Sequence, residues 1–137
     1  MQKKWKVIYY KTKKGKSPIE EFLTSRSANN QLKVATIIDY LEEKGNNLPR
    51  PYSDYLRDGI YELRVKLSGN ETRILYFFCF EEYIVLTHSF IKTTDKVPEP
   101  EINKALKYKE DFLNRYNKIN IKEFLIFIFI YILQLLS

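Results

Sequence analysis

The chain has 137 residues, of which 45% are apolar, and a formal net charge of +6 with a pI of about 9.3. This predicts one domain with a real core, and the basic balance is typical of a nucleic-acid-binding protein or of a soluble protein with surplus surface lysine. A single cysteine, Cys79, excludes a disulfide scaffold and a thiolate zinc site within one chain, and the lysine-rich start without an apolar segment predicts a cytoplasmic location.

The amino-terminal third is predicted to form a strand and two helices. Residues 5–10 alternate in the manner of a strand. A first helix begins at Ser17, with a proline at its first position and Glu20 where a capping box needs its carboxylate. Ser27, Asn29 and Asn30 break that helix and begin a second one, which ends at Gly45, and residues 46–54 follow as a loop. Its apolar stripe has helical spacing and consists of Val34, Ile37, Ile38 and Leu41.

Three strands joined by tight turns are predicted in the centre of the chain, over residues 60–67, 72–80 and 83–90. In the first of them, side chains alternate between two faces. One face carries Tyr61, Leu63, Val65 and Leu67, and the other carries Ile60, Glu62, Arg64 and Lys66. This alternation predicts that one face packs on a core while the other meets water or a ligand.

A last helix is predicted to begin near Pro98 and Pro100 and to extend to Tyr116, because apolar residues keep helical spacing there. The resulting order is β-α-α-β-β-β-α, an α+β fold in which a helical hairpin lies over a sheet. Residues 1–116 form the predicted domain, and residues 117–137 form an apolar extension of unknown role.

The extension contains a wholly apolar run, residues 124–133, with Leu135 and Leu136 beyond Gln134. The run is shorter than the ~20 residues that a membrane-spanning helix needs, so a membrane partner is the less favoured interpretation. The run could instead pack on the domain as an extra helix or strand, contact a protein partner, or be an accidental extension prone to aggregation.

The residues that could do chemistry are basic. The glycines form no phosphate-binding loop and a lone histidine cannot build a histidine metal site, so no cofactor or metal is predicted. The candidate catalytic residues are Arg64, Arg73, His88, Lys92 and Lys96. Such a cluster suits metal-independent RNA cleavage by the 2′-hydroxyl, which needs a base, an acid and cations around the phosphate. Candidate RNA-binding residues are Lys66, with Tyr76 and Phe90 to stack on a base.

Each of these residues also has a plainer interpretation. Arg64 could pair with Glu62 in a weak surface contact, and Arg73 could be a solubilising residue at a strand end. A lone histidine such as His88 is more often structural than catalytic. Lys92 and Lys96 could belong to a solvated loop.

Three segments together resemble a known family. They are YLRDGIYELR at residues 55–64, GNETRILYF at residues 69–77 and IVLTHSFIKTTDKVP at residues 84–98. In this order, spacing and position before a helix, they are similar to the phage-derived, HigB-like branch of the RelE toxin superfamily. The resemblance covers residues 4–116.

The resemblance implies a RelE-like fold with a small antiparallel-rich sheet. It also implies the toxin of a type II toxin–antitoxin system, an endonuclease that cuts mRNA on the ribosome and inhibits translation. The implied partners are mRNA on the ribosome, a helix-turn-helix antitoxin and, through that complex, operator DNA. By position, Arg64 and Arg73 match arginines that hold the scissile phosphate. His88, Lys92 and Lys96 match residues that bind RNA and transfer protons.

The chain departs from the family pattern at two places. Thr93 stands where the family has a second lysine, and the apolar extension has no counterpart. The alternative function is therefore a catalytically weakened module on the same scaffold that binds RNA or an antitoxin.

Overall fold

The computed structural model describes residues 4–136, and these form an α+β fold, as predicted. The strands are β1 (Lys6–Tyr9), β2 (Ser53–Arg57), β3 (Ile60–Leu67), β4 (Asn70–Cys79) and β5 (Tyr83–Ile91). The helices are α1 (Pro18–Thr24), α2 (Ala28–Lys44), α3 (Glu99–Arg115) and α4 (Lys118–Leu136), with a short 3-10 turn at Gly45–Asn47. The strands form one sheet in the order β1-β5-β4-β3-β2, in which β1 runs parallel to β5 and all other neighbours are antiparallel.

The predicted order lacks two elements. Strand β2 lies partly in the segment predicted as a loop, where it pairs antiparallel with β3. Its five residues follow Pro49 and Pro51 and are mostly polar, so the ladder with β3 rather than its own sequence pattern makes it a strand. The second missing element is α4, because the apolar run forms a helix.

Helices cover both faces of the sheet. The first face packs against α1 and α2, and its core joins the predicted α2 stripe to residues such as Leu63 and Ile74. The second face packs against α3, where Ile60 and Phe77 meet Ala105 and Phe112. The face of β3 that carries Ile60, Glu62 and Arg64 was predicted to meet water or a ligand. In the structure α3 covers the end of this face that carries Ile60, so the face is open only at the end that carries the charged residues.

Two side-chain contacts fix α3 across this second face. At the start of the helix, Arg57 donates to the Glu99 carboxylate at 2.6 Å. Near its end, the Tyr10 hydroxyl donates to Asp111 Oδ2 at 2.5 Å, and Arg115 donates to the same oxygen at 2.7 Å. The helix is thereby tied to β2 at one end and to the residue after β1 at the other.

The amino-terminal helices begin where the sequence predicts. Ser17 Oγ accepts from the Glu20 amide at 3.2 Å, and Ser27 caps α2 in the same way through the Asn30 amide. Helix α2 ends at Gly45, whose φ of +54° belongs to a conformation that favours glycine. The absence of a Cβ there also admits the indole of Trp5, because a Cβ would lie 2.0 Å from Trp5 Nε1.

We expect Gly45→Ala to lower the free energy of unfolding by roughly 3 kcal/mol, since it combines backbone strain with a clash against a ring. The matched control is Gly15→Ala, which has a φ of +85° but nothing within 4 Å of the added Cβ. The control should cost about 1 kcal/mol for the backbone alone. Equal losses in chemical denaturation would show that the approach of Trp5 does not constrain the fold.

Candidate functional site

The open end of the second face forms a cleft of about 280 Å³. Its walls are β2 and β3 on one side and the segment between β5 and α3 on the other. Three of the predicted site residues line it: Arg64, Lys92 and Lys96. Carboxylates line it as well, from Asp54, Glu62, Asp95 and Glu99. The cleft therefore brings together part of the predicted basic cluster, within a mixed rather than a purely basic surface.

A buried carboxylate organises the floor of the cleft. Arg64 on β3 stands directly opposite Arg73 on β4, and Glu62 precedes Arg64 by two residues on the same face. The Glu62 side chain is 3% exposed, and its Oε1 accepts from Arg64 Nε at 2.6 Å. The same oxygen lies 3.5 Å from Arg73 Nε, close enough for an ion pair although no hydrogen bond forms. One carboxylate thus lies between two guanidinium groups.

The two arginines differ in what they can reach. The Arg73 side chain is 7% exposed, and its terminal nitrogen donates to the Thr72 carbonyl at 3.1 Å. The Arg64 side chain is 30% exposed and extends towards Asp54, at 3.4 Å. Of these two arginines, Arg64 is therefore the one that a ligand in the cleft can touch. Arg73 lies beneath the cleft and does not line it.

The two predicted lysines come from the segment that follows β5. The Lys92 amide donates to the Glu71 carbonyl at 2.8 Å, which continues the pairing of the two strands. Beyond it, the Thr94 hydroxyl donates to the Lys96 carbonyl at 2.5 Å and the Val97 side chain is buried. This short turn carries Lys96 across the mouth of the cleft. Thr93, at the position of the missing lysine, is exposed.

His88 lies behind the cleft rather than in it, with 2% exposure. Its Nε2 is 3.2 Å from Glu101 Oε1 on α3, and its Nδ1 is 3.0 Å from the Thr87 hydroxyl. Burial lowers the pKa of His88 below its ordinary value, and this outweighs the opposing effect of the Glu101 carboxylate. The imidazole of His88 is therefore neutral, and it joins β5 to α3. In this buried position His88 does not contact the cleft, so a direct contact with RNA does not fit the structure.

The predicted RNA-binding residues do not share one surface. Tyr76 is the clear correction: it lies on the opposite face of the sheet, is 1% exposed and packs beside Tyr61 and Phe78. Phe90 does lie on the face of the cleft, opposite Arg73, and is half-buried. Lys66 is exposed and lines a neighbouring groove between α2 and the edge of β3, which shares Arg64 with the cleft.

The acidic residues at the site were missing from the sequence prediction as site residues: Asp54, Glu62, Asp95 and Glu99 line the cleft, and Glu101 contacts His88. The signal for Glu62 was present, because strand alternation puts it on the face of Arg64, and only the weak surface pairing of the two was considered. Neither Asp54 nor Glu101 gave a signal, since each reaches the site through the pairing of β2 or the packing of α3. Among the described residues, no group of three or more His, Cys, Asp or Glu side chains is arranged to hold a metal ion.

Comparison with known proteins shows that residues 21–110 match the family of phage-derived Gp49-like proteins (DUF891). The chain belongs to this family. Gp49-like proteins are toxins of type II toxin–antitoxin systems, related to the RelE and HigB toxins. No curated protein matches the chain. The matched Gp49-like region contains the cleft and the start of α3, and it ends before α4.

We expect Glu62→Gln to lower the free energy of unfolding by about 3 kcal/mol, because two guanidinium groups would keep their charge with no buried counter-charge. Glu71→Gln is the matched control: it also removes a carboxylate near Arg73, at 3.4 Å, but one whose side chain is 52% exposed. The control should cost less than about 1 kcal/mol. Urea unfolding curves measure both, and similar losses would mean that Glu62 does not organise the cleft.

We expect the free energy of unfolding to fall as the pH is lowered from 7 towards 5.5. The unfolded chain takes up a proton on its histidine in this range, whereas folding lowers the pKa of His88, so protons favour the unfolded state. The slope should approach about 1.4 kcal/mol per pH unit at most. His88 is the one histidine of the chain, so His88→Gln should flatten the curve. A wild-type stability that rises towards pH 5.5 would instead indicate that pairing with Glu101 dominates.

Proposed function

We propose that this protein is a HigB-type mRNA interferase: a ribosome-dependent endoribonuclease that cleaves mRNA by means of the RNA 2′-hydroxyl and so inhibits translation. Membership of the Gp49-like family supports a toxin and implies an antitoxin partner. The proposal adds the reaction, the ribosome as the place of action in the cytoplasm, a helix-turn-helix antitoxin and operator DNA bound by the complex.

The observation that most supports this function is the composition of the cleft. Arg64 comes from β3 and the two lysines, Lys92 and Lys96, come from the segment after β5, and all three line one cavity of about 280 Å³. A fourth cation of the lining, Arg57, is paired with Glu99. Cations around a space of this size suit a phosphate group and its flanking sugars. Arg64 is also oriented by Glu62 at 2.6 Å, which reduces the entropy lost when the guanidinium binds a phosphate.

The chemistry needs little beyond these groups. The 2′ oxygen attacks the adjacent phosphorus, the 5′ oxygen leaves, and negative charge grows on the phosphate oxygens between them. In our proposal, Arg64 and Lys92 hold those oxygens, since fixed cations favour the transition state over the ground state. Proton transfer belongs to groups that reach the cleft, such as Lys96 or Asp54. Arg73 and His88 act as positioning residues: Arg73 through Glu62, and His88 through α3.

A second candidate, a module that binds RNA or the antitoxin without cleavage, has its own support. The cations of the cleft have carboxylates close by, including Asp54 at 3.4 Å from Arg64. Thr93 also removes a positive charge where the family pattern has one. Both features weaken the attraction for the two negative charges of the phosphate in the transition state more than the attraction for the single charge of a phosphodiester in bound RNA, or the binding of an antitoxin.

The test is induction of the protein in a bacterial host while growth and the rate of protein synthesis are followed. We expect the wild type to arrest both, and Arg64→Ala to lose activity by roughly 100-fold to 1000-fold, as removal of one transition-state contact does. Arg50→Ala is the matched control, because Arg50 pairs with the same Asp54, at 2.7 Å, from a position outside the cleft. The control should arrest growth as the wild type does.

The outcomes separate the two candidates. Arrest by the wild type and the Arg50 variant but not by the Arg64 variant supports cleavage in the cleft. Equal arrest by all three proteins contradicts the assignment of Arg64. A soluble, abundant wild type that leaves growth and protein synthesis unchanged supports the non-catalytic module.

A further inference from the structure

The last helix leaves the domain within three turns of its start. Ile121 is 1% exposed and anchors α4 on the α3 side of the core, and Leu125 packs partly against the same core. From Ile126 to Leu136 every side chain is exposed. Phe127 is 71% exposed, Phe129 61% and Leu136 80%. Ile128, which is 37% exposed, still lines the cavity beneath the helix. The other ten of these eleven residues extend from the domain into the surroundings.

These eleven residues are apolar on every side of the helix. Successive side chains on an α-helix are turned by about 100°, so eleven of them cover the whole circumference three times. Of residues 126–136, only Tyr131 and Gln134 carry a polar side-chain atom. An α-helix that packs on a protein surface or pairs with one other helix is amphipathic, since its outer face meets water. The projecting part of α4 has no such polar face.

The polar groups near α4 are gathered at its base. Lys122 lies there, with its Nζ 3.4 Å from Glu82. Lys11 and Glu20 line the cavity beneath the helix, next to Leu125. The helix thus passes from a charged base to an uncharged end. The same order, charge and then hydrocarbon, is found along the normal of a lipid leaflet.

The length of the helix agrees with that comparison. Residues 126–136 rise about 16 Å, close to half of the ~30 Å hydrocarbon core of a bilayer. The 18 residues Ile119–Leu136 have a mean hydropathy of 1.9, and 6% of them are buried in the protein. We propose that residues 126–136 of α4 insert into one leaflet of a phospholipid bilayer, with Lys11 and Lys122 at the level of the headgroups. This proposal does not rest on the function proposed above.

The experiment is flotation of the purified full chain with phosphatidylcholine vesicles in a density gradient, at low and at high salt. We expect the wild type to float with the vesicles at both salt concentrations, because insertion of apolar surface is not screened by ions. A triple variant with Phe127→Lys, Ile132→Lys and Leu133→Lys puts charge on all sides of the projecting helix, because the three positions are turned by about 0°, 140° and 240° around its axis. It should reduce the floating fraction at least tenfold.

The control is Leu32→Lys, which adds one lysine at an apolar side chain on α2 that is 66% exposed and outside α4. The control should float as the wild type does, and circular dichroism and thermal unfolding check that both variants keep the fold of the domain. Flotation of the triple variant overturns the proposal. A wild type that stays at the bottom of the gradient as a uniform oligomer also overturns it, because a second copy of the chain would then cover the helix.

Discussion

The geometry of this protein depends on one buried carboxylate. Arg64 and Arg73 are direct neighbours across two central strands, and like charges in that relation repel each other. Glu62 makes the pairing stable because its carboxylate contacts both guanidinium groups from the same face. A shift of the β3–β4 register by one residue would move Arg73 to the other face of the sheet, away from Glu62 and Arg64, which stay together on β3. The charged cluster and the register of the sheet therefore stabilise each other.

The position of α3 then decides where this charge is accessible. The helix covers the half of the second face that carries Ile60 and Phe77, and it is fixed at its two ends through Arg57 and Asp111. Only the other half of the face remains open. The chain that leaves β5 must cross this opening to reach the start of α3, and in crossing it brings Lys92 and Lys96 over Arg64. The cleft is thus a consequence of how the sheet is covered.

Much of the fold could be predicted from local patterns. The α2 stripe, both serine caps and the three antiparallel strands follow from periodicity and capping chemistry, which act over a few residues. Strand β2 could not be found in this way, because its pairing with β3 defines it. The environment of the charged face of β3 could not be predicted either, because side-chain alternation tells which residues share a face but not which element covers that face.

His88 shows most clearly what local sequence patterns could not predict. Simple alternation along β5 puts it on the face of Leu86, but the pairing shifts there, so that Leu75 lies opposite His88 and Tyr76 opposite Leu86. Thr87 is the extra residue of this bulge, and its hydroxyl lies 3.0 Å from the Leu75 carbonyl. The bulge turns His88 towards α3 and leaves Tyr76 in the core of the other face. A single added residue thereby separates two side chains that the sequence prediction had joined in one site.

We propose that the cleft cleaves mRNA during translation, and mapping of RNA 5′ ends after induction of the wild type would detect that cleavage. Two copies of one reporter mRNA, with and without a start codon, separate the role of the ribosome from that of the RNA. We expect new 5′ ends in frame within the translated copy and none in the untranslated copy. Identical ends in both copies would contradict dependence on the ribosome, and the absence of new ends from both would contradict cleavage itself.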